Sequence, residues 1–281
     1  MKRKFNRKVA GRPVQYFYQN KFDGGLNSFM SDVRIKPSEL SDCLNMEPGG
    51  NGIIKTRKGC KTFANSVGSR VRGLGWYKDS SGTSKLVRMS GTALRVYNTV
   101  TDQWDAVTGF TYTNDLDTDF CMANDKLFIQ NNTDSLTYFN GSVVATQTNG
   151  QIGPAAIYFN GSLITFSGSR LYLSGTGTNI GDFSAGASGQ FIDVQKNDGN
   201  SITAIHKYGT TVDNILLISK GKATYRLTFD STGLPVIHTI SATRGAVNHR
   251  SVDSMEDTNI MLTKLPAIMT QGTKQNFCDL S

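Results

Sequence analysis

From about residue 53 onward, apolar residues come in short runs separated by turn-forming residues. Leu86–Met89, Ala93–Tyr97, Lys126–Ile129, Ser162–Phe166, Leu171–Leu173, Ile202–Ile205, Ile215–Ile218, Thr224–Leu227 and Val236–Ile240 each have the length and composition of a strand. The long amphipathic crossovers that parallel strands require are missing, so neighbouring strands are expected to pair antiparallel. Asn-Gly at 51–52, 140–141, 149–150 and 160–161, with Asp198-Gly199, supplies residues that tolerate positive φ in tight hairpins.

These strands group into larger units. Boundaries near 70, 108, 149, 191 and 242 cut the chain into segments of roughly forty to fifty residues, the period of four-stranded propeller blades. One word, Tyr138-Phe139-Asn140-Gly141-Ser142, returns unchanged as Tyr158-Phe159-Asn160-Gly161-Ser162. The expected fold is therefore all-β, a β-propeller-like array of four-stranded antiparallel blades. A β-sandwich or irregular meander shares the same turn spacing and is the alternative. Asn259–Leu262 reads as an inner strand, and the polar stretch after Pro266 leaves the last blade short of outer strands.

Composition excludes the other classes. The chain of 281 residues has 3 Glu against 19 Asp, with 29 Gly, which favours turns over helices. Its 4 Cys are too few for a disulfide scaffold. No apolar run approaches the ~18 residues of a membrane-spanning helix.

Residues 1–62 differ from residues 63–281. The first segment holds 13 Lys or Arg against 5 acids, a net of +8, and the remainder holds 17 of each. It reads as a basic N-terminal arm and docking segment, with Ser38–Asp42 as its one plausible helical turn and a return to β structure at Ile53–Arg57. Lys2, Arg3, Lys4, Arg7 and Lys8 are the densest charges and the candidate contacts for nucleic acid or an acidic subunit. Arg12, Gln15, Gln19 and Asn20 interrupt the stretch that a secretory signal would need to be apolar.

Reactive constellations are weak. His206, His238 and His249 are isolated, and Cys43, Cys60, Cys121 and Cys278 form no CxxC pair, so zinc ligation is not expected. Asp115, Asp117 and Asp119 alternate as in a calcium loop, but Phe120 and Lys126 stand where an EF-hand needs Gly and Glu. The three are read instead as an exposed strand-entrance face. Gly175–Gly181 is a glycine loop one residue too long for a dinucleotide fingerprint, and no helix pattern follows it. Glu39, Glu47 and Glu256 sit in no apolar strand that would raise a general acid's pKa, although Asp pairs across blades leave a carbohydrate-active or glycan-binding propeller as the alternative function. No cofactor site and no enzymatic activity are expected.

Three groups of residues carry a family resemblance. The first is Phe22-Asp23-Gly24-Gly25-Leu26-Asn27, then Pro37–Asn45, then Ile54–Gly59. The second is Leu171–Gly175 leading through Asp182-Phe183-Ser184, Ile192-Asp193-Val194 and Asp198-Gly199 to Ile202-Thr203. The third is Leu216–Lys220, Tyr225-Arg226-Leu227 and Gly245–Val252. In this order they resemble the nozzle, hub or stabilisation proteins of short-tailed bacteriophages, over roughly residues 20–270. The resemblance implies a virion structural protein, made in the bacterial host cytoplasm and assembled into the phage tail. It further implies a homo-oligomeric ring around the DNA channel, contacts with adaptor, tail-tube or fibre proteins, and a part in genome retention and DNA ejection.

Overall fold

The structure, a computed structural model, describes residues 68–208, 215–231 and 233–255 continuously. It also describes 63–65, 258–263 and shorter stretches at 25–26, 39–40, 46–49, 53–57, 59, 268–271 and 274–276. Lys2, Arg3, Lys4, Arg7 and Lys8 lie outside the described residues. The chain separates into two compact units, residues 1–63 and 64–281.

The first unit contains β1 (Gly25–Leu26), β2 (Glu39–Leu40), β3 (Met46–Gly49) and β4 (Ile53–Thr56). The last two form an antiparallel hairpin. β1 and β2 pair in parallel, so Glu39 and Leu40 are extended where a helical turn was expected. Their pairing also departs from the antiparallel rule that the rest of the chain follows.

Among the described residues, the second unit shows five four-stranded antiparallel sheets, each formed by consecutive strands. Blade 1 comprises β5 (Val71–Lys78), β6 (Ser84–Ser90), β7 (Ala93–Asn98) and β8 (Gln103–Ala106). Blade 2 comprises β9 (Asp119–Ala123), β10 (Lys126–Gln130), β11 (Thr137–Phe139) and β12 (Val144–Thr146). Blade 3 runs through β13 (Ala156–Phe159), β14 (Ser162–Ser167), β15 (Arg170–Thr176) and β16 (Gln190–Asp193). Blade 4 is β17 (Ile202–Tyr208), β18 (Ile215–Lys220), β19 (Ala223–Phe229) and β20 (Pro235–Ser241). Blade 5 is β21 (Val252–Met255), β22 (Thr258–Met261), β23 (Ile268–Gln271) and β24 (Lys274–Asn276). The fold is the propeller-like array of four-stranded antiparallel blades.

One further expectation needs correcting. The last blade is not short: β23 pairs with β22, and β24 with β23, after the Pro266 that was read as its end. The repeated pentapeptide falls at two different places in its blades. At 158–162 it is the β13–β14 hairpin, where Asn160 and Gly161 both take positive φ (48° and 80°) in a two-residue turn. At 138–142 it leads from β11 to β12 through a longer loop, where the Asn140 side chain accepts from the Ser142 and Val143 N–H groups.

The core is layered between the blades. Tyr77, Val87, Met89 and Leu94 of blade 1 meet Leu127, Ile129, Phe139 and Val144 of blade 2. Cys121 and Phe128 of blade 2 meet Ala156 and Leu163 of blade 3. Ile164, Phe166 and Leu171 meet Ile205, Leu216 and Ile218 of blade 4. Ala204 of blade 4 shares a smaller cluster with Ala246, Val252 and Met261. A central blade is thus buried on both faces, which explains why Leu127-Phe128-Ile129 is apolar at every position instead of alternating.

Candidate functional site

The first strands of successive blades, β5, β9, β13, β17 and β21, stand next to one another in chain order. Residues at or just before their N-terminal ends converge. Arg250, in the short 3-10 turn before β21, donates through Nη2 to the Thr118 carbonyl (2.8 Å) ahead of β9 and to the Arg72 carbonyl (3.1 Å) on β5. Asp119 Oδ2, at the start of β9, accepts from the Ala156 N–H at the start of β13 (3.2 Å). Thr203 Oγ1 on β17 donates to the Ala246 carbonyl at 2.8 Å. One end of the strand cluster is thereby tied across all five blades.

Charges concentrate at this end. Arg72 Nε donates to Asp115 Oδ1 at 2.6 Å and its Nη1 approaches Asp117 at 3.4 Å. Asp117 also faces Arg250 Nη1 at 3.5 Å, so it bridges the two guanidiniums. The hydrogen bond from Arg72 holds the Asp115 carboxyl below the usual range, and Asp115 in turn raises the Arg72 pKa. Asp115 and Asp117 are largely exposed, whereas the Asp119 side chain is only 23% exposed. The alternating triplet therefore does not present one exposed face: Asp115 sits in a turn at φ 65°, and Asp119 turns inward on β9.

Burial dominates the titration of the inner groups. It pushes Asp119 up to about 6, against the favourable Ala156 N–H and the Arg250 charge. It also pushes His249 down to about 4, with Arg250 adding to the effect. His206 is lowered by burial and then by His249. His249 Nε2 lies 3.9 Å from Asp119 Oδ2, which is too long for a hydrogen bond. With both groups shifted toward their neutral forms, this contact is a close approach and not an ion pair. Phe166 packs near the imidazole at a centroid distance of 6.4 Å, and His249 Nδ1 is buried without a hydrogen-bond partner.

A cavity of about 550 Å³ opens beside this cluster. It is lined by Val71–Trp76 of β5, by Thr118, Asp119, Phe120 and Met122 at and on β9, and by Leu127 and Arg250. Gly73 and Gly75 are required by the packing of β5 on β9, because a Cβ would stand 2.6 Å from the Thr118 carbonyl oxygen and 2.8 Å from the Phe120 ring, respectively. Beside this cavity Asp115 and Asp117 are engaged by arginines, and Asp119 accepts from the Ala156 N–H and lies near His249. Among the described residues no three His, Cys, Asp or Glu side chains gather as metal ligands.

The remaining sequence candidates are scattered. His206 joins the cluster electrostatically, while His238 lies exposed on the outer strand β20. Cys121 is a buried free thiol on β9, with burial pushing its pKa up to about 12. Cys43, Cys60 and Cys278 lie outside the described residues. The Gly175–Gly181 loop forms a single 3-10 turn over Gly177–Asn179. Arg72 and Arg250 were not singled out from sequence. They are 178 residues apart, and no local pattern links them.

No protein-family model and no curated protein matches the sequence. Solved structures do. The extracellular domain of a protein described as a one component system of B. thetaiotaomicron is similar over 77% of this chain, at 12% identity and a TM-score of 0.52. A second structure, the extracellular domain of a hybrid two component system from the same organism, covers 79% of the chain at 11% identity and a TM-score of 0.50. The chain spans about a third or less of those solved chains, 29% and 34%. What they share with it is the fold. Among the described residues no helix is long and apolar enough to cross a membrane.

Proposed function

We propose that this protein is a non-enzymatic structural subunit of a bacteriophage tail, part of a homo-oligomeric nozzle or hub ring around the DNA channel. The observation that supports it best is how the converging ends of the first strands are used. Arg72, Arg250, Asp115 and Asp117 satisfy one another and tie loop backbone together, as suits a load-carrying joint more than a reactive pocket. The ordered sequence resemblance over roughly residues 20–270 supplies the phage context. The basic segment, with Lys2, Arg3, Lys4, Arg7 and Lys8, is assigned to contact with channel DNA or with an acidic neighbouring tail protein.

The test is electron microscopy of intact particles produced from the encoding genome, with the protein carrying a C-terminal label. Label in a ring at the portal-distal end of the tail is the expected result. Particles without label, or a purified chain that hydrolyses or retains glycans, would replace the proposal with the glycan-active reading.

A further inference from the structure

The word Tyr-Phe-Asn-Gly-Ser occurs at 138–142 and again at 158–162, and a further Asn-Gly pair stands at 149–150. In an Asn-Gly pair the main-chain nitrogen of glycine reaches the preceding side-chain amide readily, because glycine is conformationally free and has no Cβ in the way. With identical neighbours on both sides, any difference in reactivity between Asn140 and Asn160 must come from the fold.

Asn140 is held on several sides. Its Oδ1 accepts from the Ser142 and Val143 N–H groups, each at 3.0 Å. Its main-chain carbonyl accepts from the Tyr77 hydroxyl at 3.0 Å, and the Gly141 carbonyl accepts from Lys85 Nζ at 2.6 Å. Gly141 is itself buried, and a Cβ there would stand 2.9 Å from the Tyr77 oxygen. Asn149 is restrained differently. Its Nδ2 donates to Asp182 Oδ2 at 3.3 Å, and its main-chain carbonyl accepts from the Phe183 N–H at 3.1 Å. The Gly150 N–H, which would have to attack, already donates to the Gln147 carbonyl at 3.1 Å.

Asn160 has none of these restraints. It is exposed at the tip of the β13–β14 hairpin, and among the described residues its side chain has no hydrogen-bond partner. A Cβ on Gly161 would meet nothing nearer than a Thr176 methyl carbon at 3.6 Å. The turn is closed by the pairing of Phe159 with Ser162, and just beyond it the β14–β15 register shifts between Ser162 and Ile164. The peptide must rotate out of its turn before the nitrogen can face the side chain. At an exposed hairpin tip such local opening costs little, whereas at Asn140 it breaks the bonds to Tyr77, Lys85 and the loop N–H groups.

We propose that Asn160 is a self-modification site, converting to aspartate and isoaspartate in the folded protein while Asn140 and Asn149 persist. The Gly161 nitrogen attacks Asn160 Cγ: the N–Cγ bond forms, the Cγ–Nδ2 bond breaks, and the amide proton, relayed by solvent, departs on the ammonia. Water then opens the succinimide ring at either carbonyl. The sum is one water consumed and one ammonia released, with no oxidant or cofactor. Each conversion adds a negative charge to the blade 3 hairpin. The isoaspartate product also lengthens the main chain by one carbon between the buried residues Phe159 and Leu163. The proposal does not depend on the phage reading.

The full chain would be aged in mildly alkaline buffer, both native and in urea. Samples would then be digested with pepsin in acid, where the ring forms slowly, and each Asn read separately by fragmentation in a mass spectrometer. In the native chain the amide-to-acid mass gain is expected at Asn160 roughly tenfold or more faster than at Asn140 or Asn149, since those two must first give up several hydrogen bonds. In urea Asn140 and Asn160 should react alike, as their shared neighbours dictate. Equal native rates, or an Asn160 that reacts only in urea, would overturn the proposal. So would an Asn140 that outpaces Asn160 in the native chain, or a difference between the two that persists in urea.

Discussion

Replacing Asp119 by Asn should stabilise the protein at neutral pH and expose an acid sensitivity that the wild type conceals. Burial lifts Asp119 from 3.8 to about 6, so the folded chain holds this proton more tightly than the unfolded chain does. Ionisation above about pH 6 therefore costs stability, and the cost is relieved as pH falls toward 4. A shift of about two pH units corresponds to roughly 3 kcal/mol at ~1.4 kcal/mol per unit. His249 works in the opposite sense. Its folded pKa drops from 6.5 to about 4, so on acidification the unfolded chain takes the proton first and stability is lost across that window. The magnitude is again on the order of 3 kcal/mol. In the wild type the two contributions oppose each other between about pH 4 and 6.5, and their sum is nearly flat. Urea unfolding of the full chain at half-unit steps from pH 4 to 7.5 separates them. Asp119→Asn should be the more stable at pH 7.5 and fall steadily on acidification. Relative to the background shared by all variants, His249→Gln should gain stability on acidification, and the double variant should show neither slope. Carboxylates such as Asp115, Asp193 and Asp198, whose pKa values are lowered, affect every variant alike and cancel in the differences. An Asp119→Asn profile parallel to the wild type would refute the reasoning. So would a variant less stable at pH 7.5, which would make ionised Asp119 a net-favourable partner of Arg250.

Other outcomes follow from single contacts. Lys220 has no exposed side-chain surface, and its Nζ donates to both Asp198 oxygens (2.9 and 3.0 Å) and to the Gln195 carbonyl (2.9 Å). Lys220→Met should cost about 3 kcal/mol, read as a lower urea midpoint, because it strands these acceptors. Gly73→Ala should cost roughly 1 to 3 kcal/mol by the same assay, since its Cβ meets the Thr118 carbonyl oxygen, a backbone atom that cannot rotate away. The Cys121 thiol, buried and raised to about 12, should resist alkylation at pH 8 in the native protein and react only in denaturant. Deleting residues 2–8 should leave the melting temperature unchanged and reduce the salt-sensitive retention of DNA, with a melting drop of several degrees as the contrary result.

The blades were legible in sequence because tight antiparallel hairpins leave local marks. Ser162–Phe166 and Ile215–Ile218 are apolar runs bounded by turn residues, and both are strands buried on two faces. Boundaries were less legible. The segment starting points near 108, 149, 191 and 242 precede β9, β13, β17 and β21 by seven to eleven residues, and residue 191 falls inside β16. The crossings from an outer strand to the next inner strand are irregular segments without strand periodicity, one of them carrying the core residues Phe110 and Tyr112, and nothing in their composition says where pairing resumes. The pentapeptide shows a related limit: Asn-Gly serves a two-residue turn at 160–161 and a longer, side-chain-capped loop at 140–141, so the word marks a turn and not a register.

The charged cluster was half visible. Asp115, Asp117 and Asp119 stood out by spacing, but their different fates depend on what the other blades bring to the same place. Arg72 meets Asp115 from 43 residues away, and Arg250 reaches the Thr118 carbonyl across 132. Such contacts exist only once the first strands stand side by side, so they leave no periodic trace. The same holds for Arg88. In sequence it is one polar residue in the run Leu86-Val87-Arg88-Met89, an ordinary alternation for a half-buried strand. Register gives it meaning by setting it across from Arg95 and over Trp104, beside apolar residues left in solvent. Arg170 has its carboxylate partner built into the neighbouring strand, whereas Arg88 Nε and Nη2 are buried without a hydrogen-bond partner, a difference that the alternation of Leu86–Met89 does not announce.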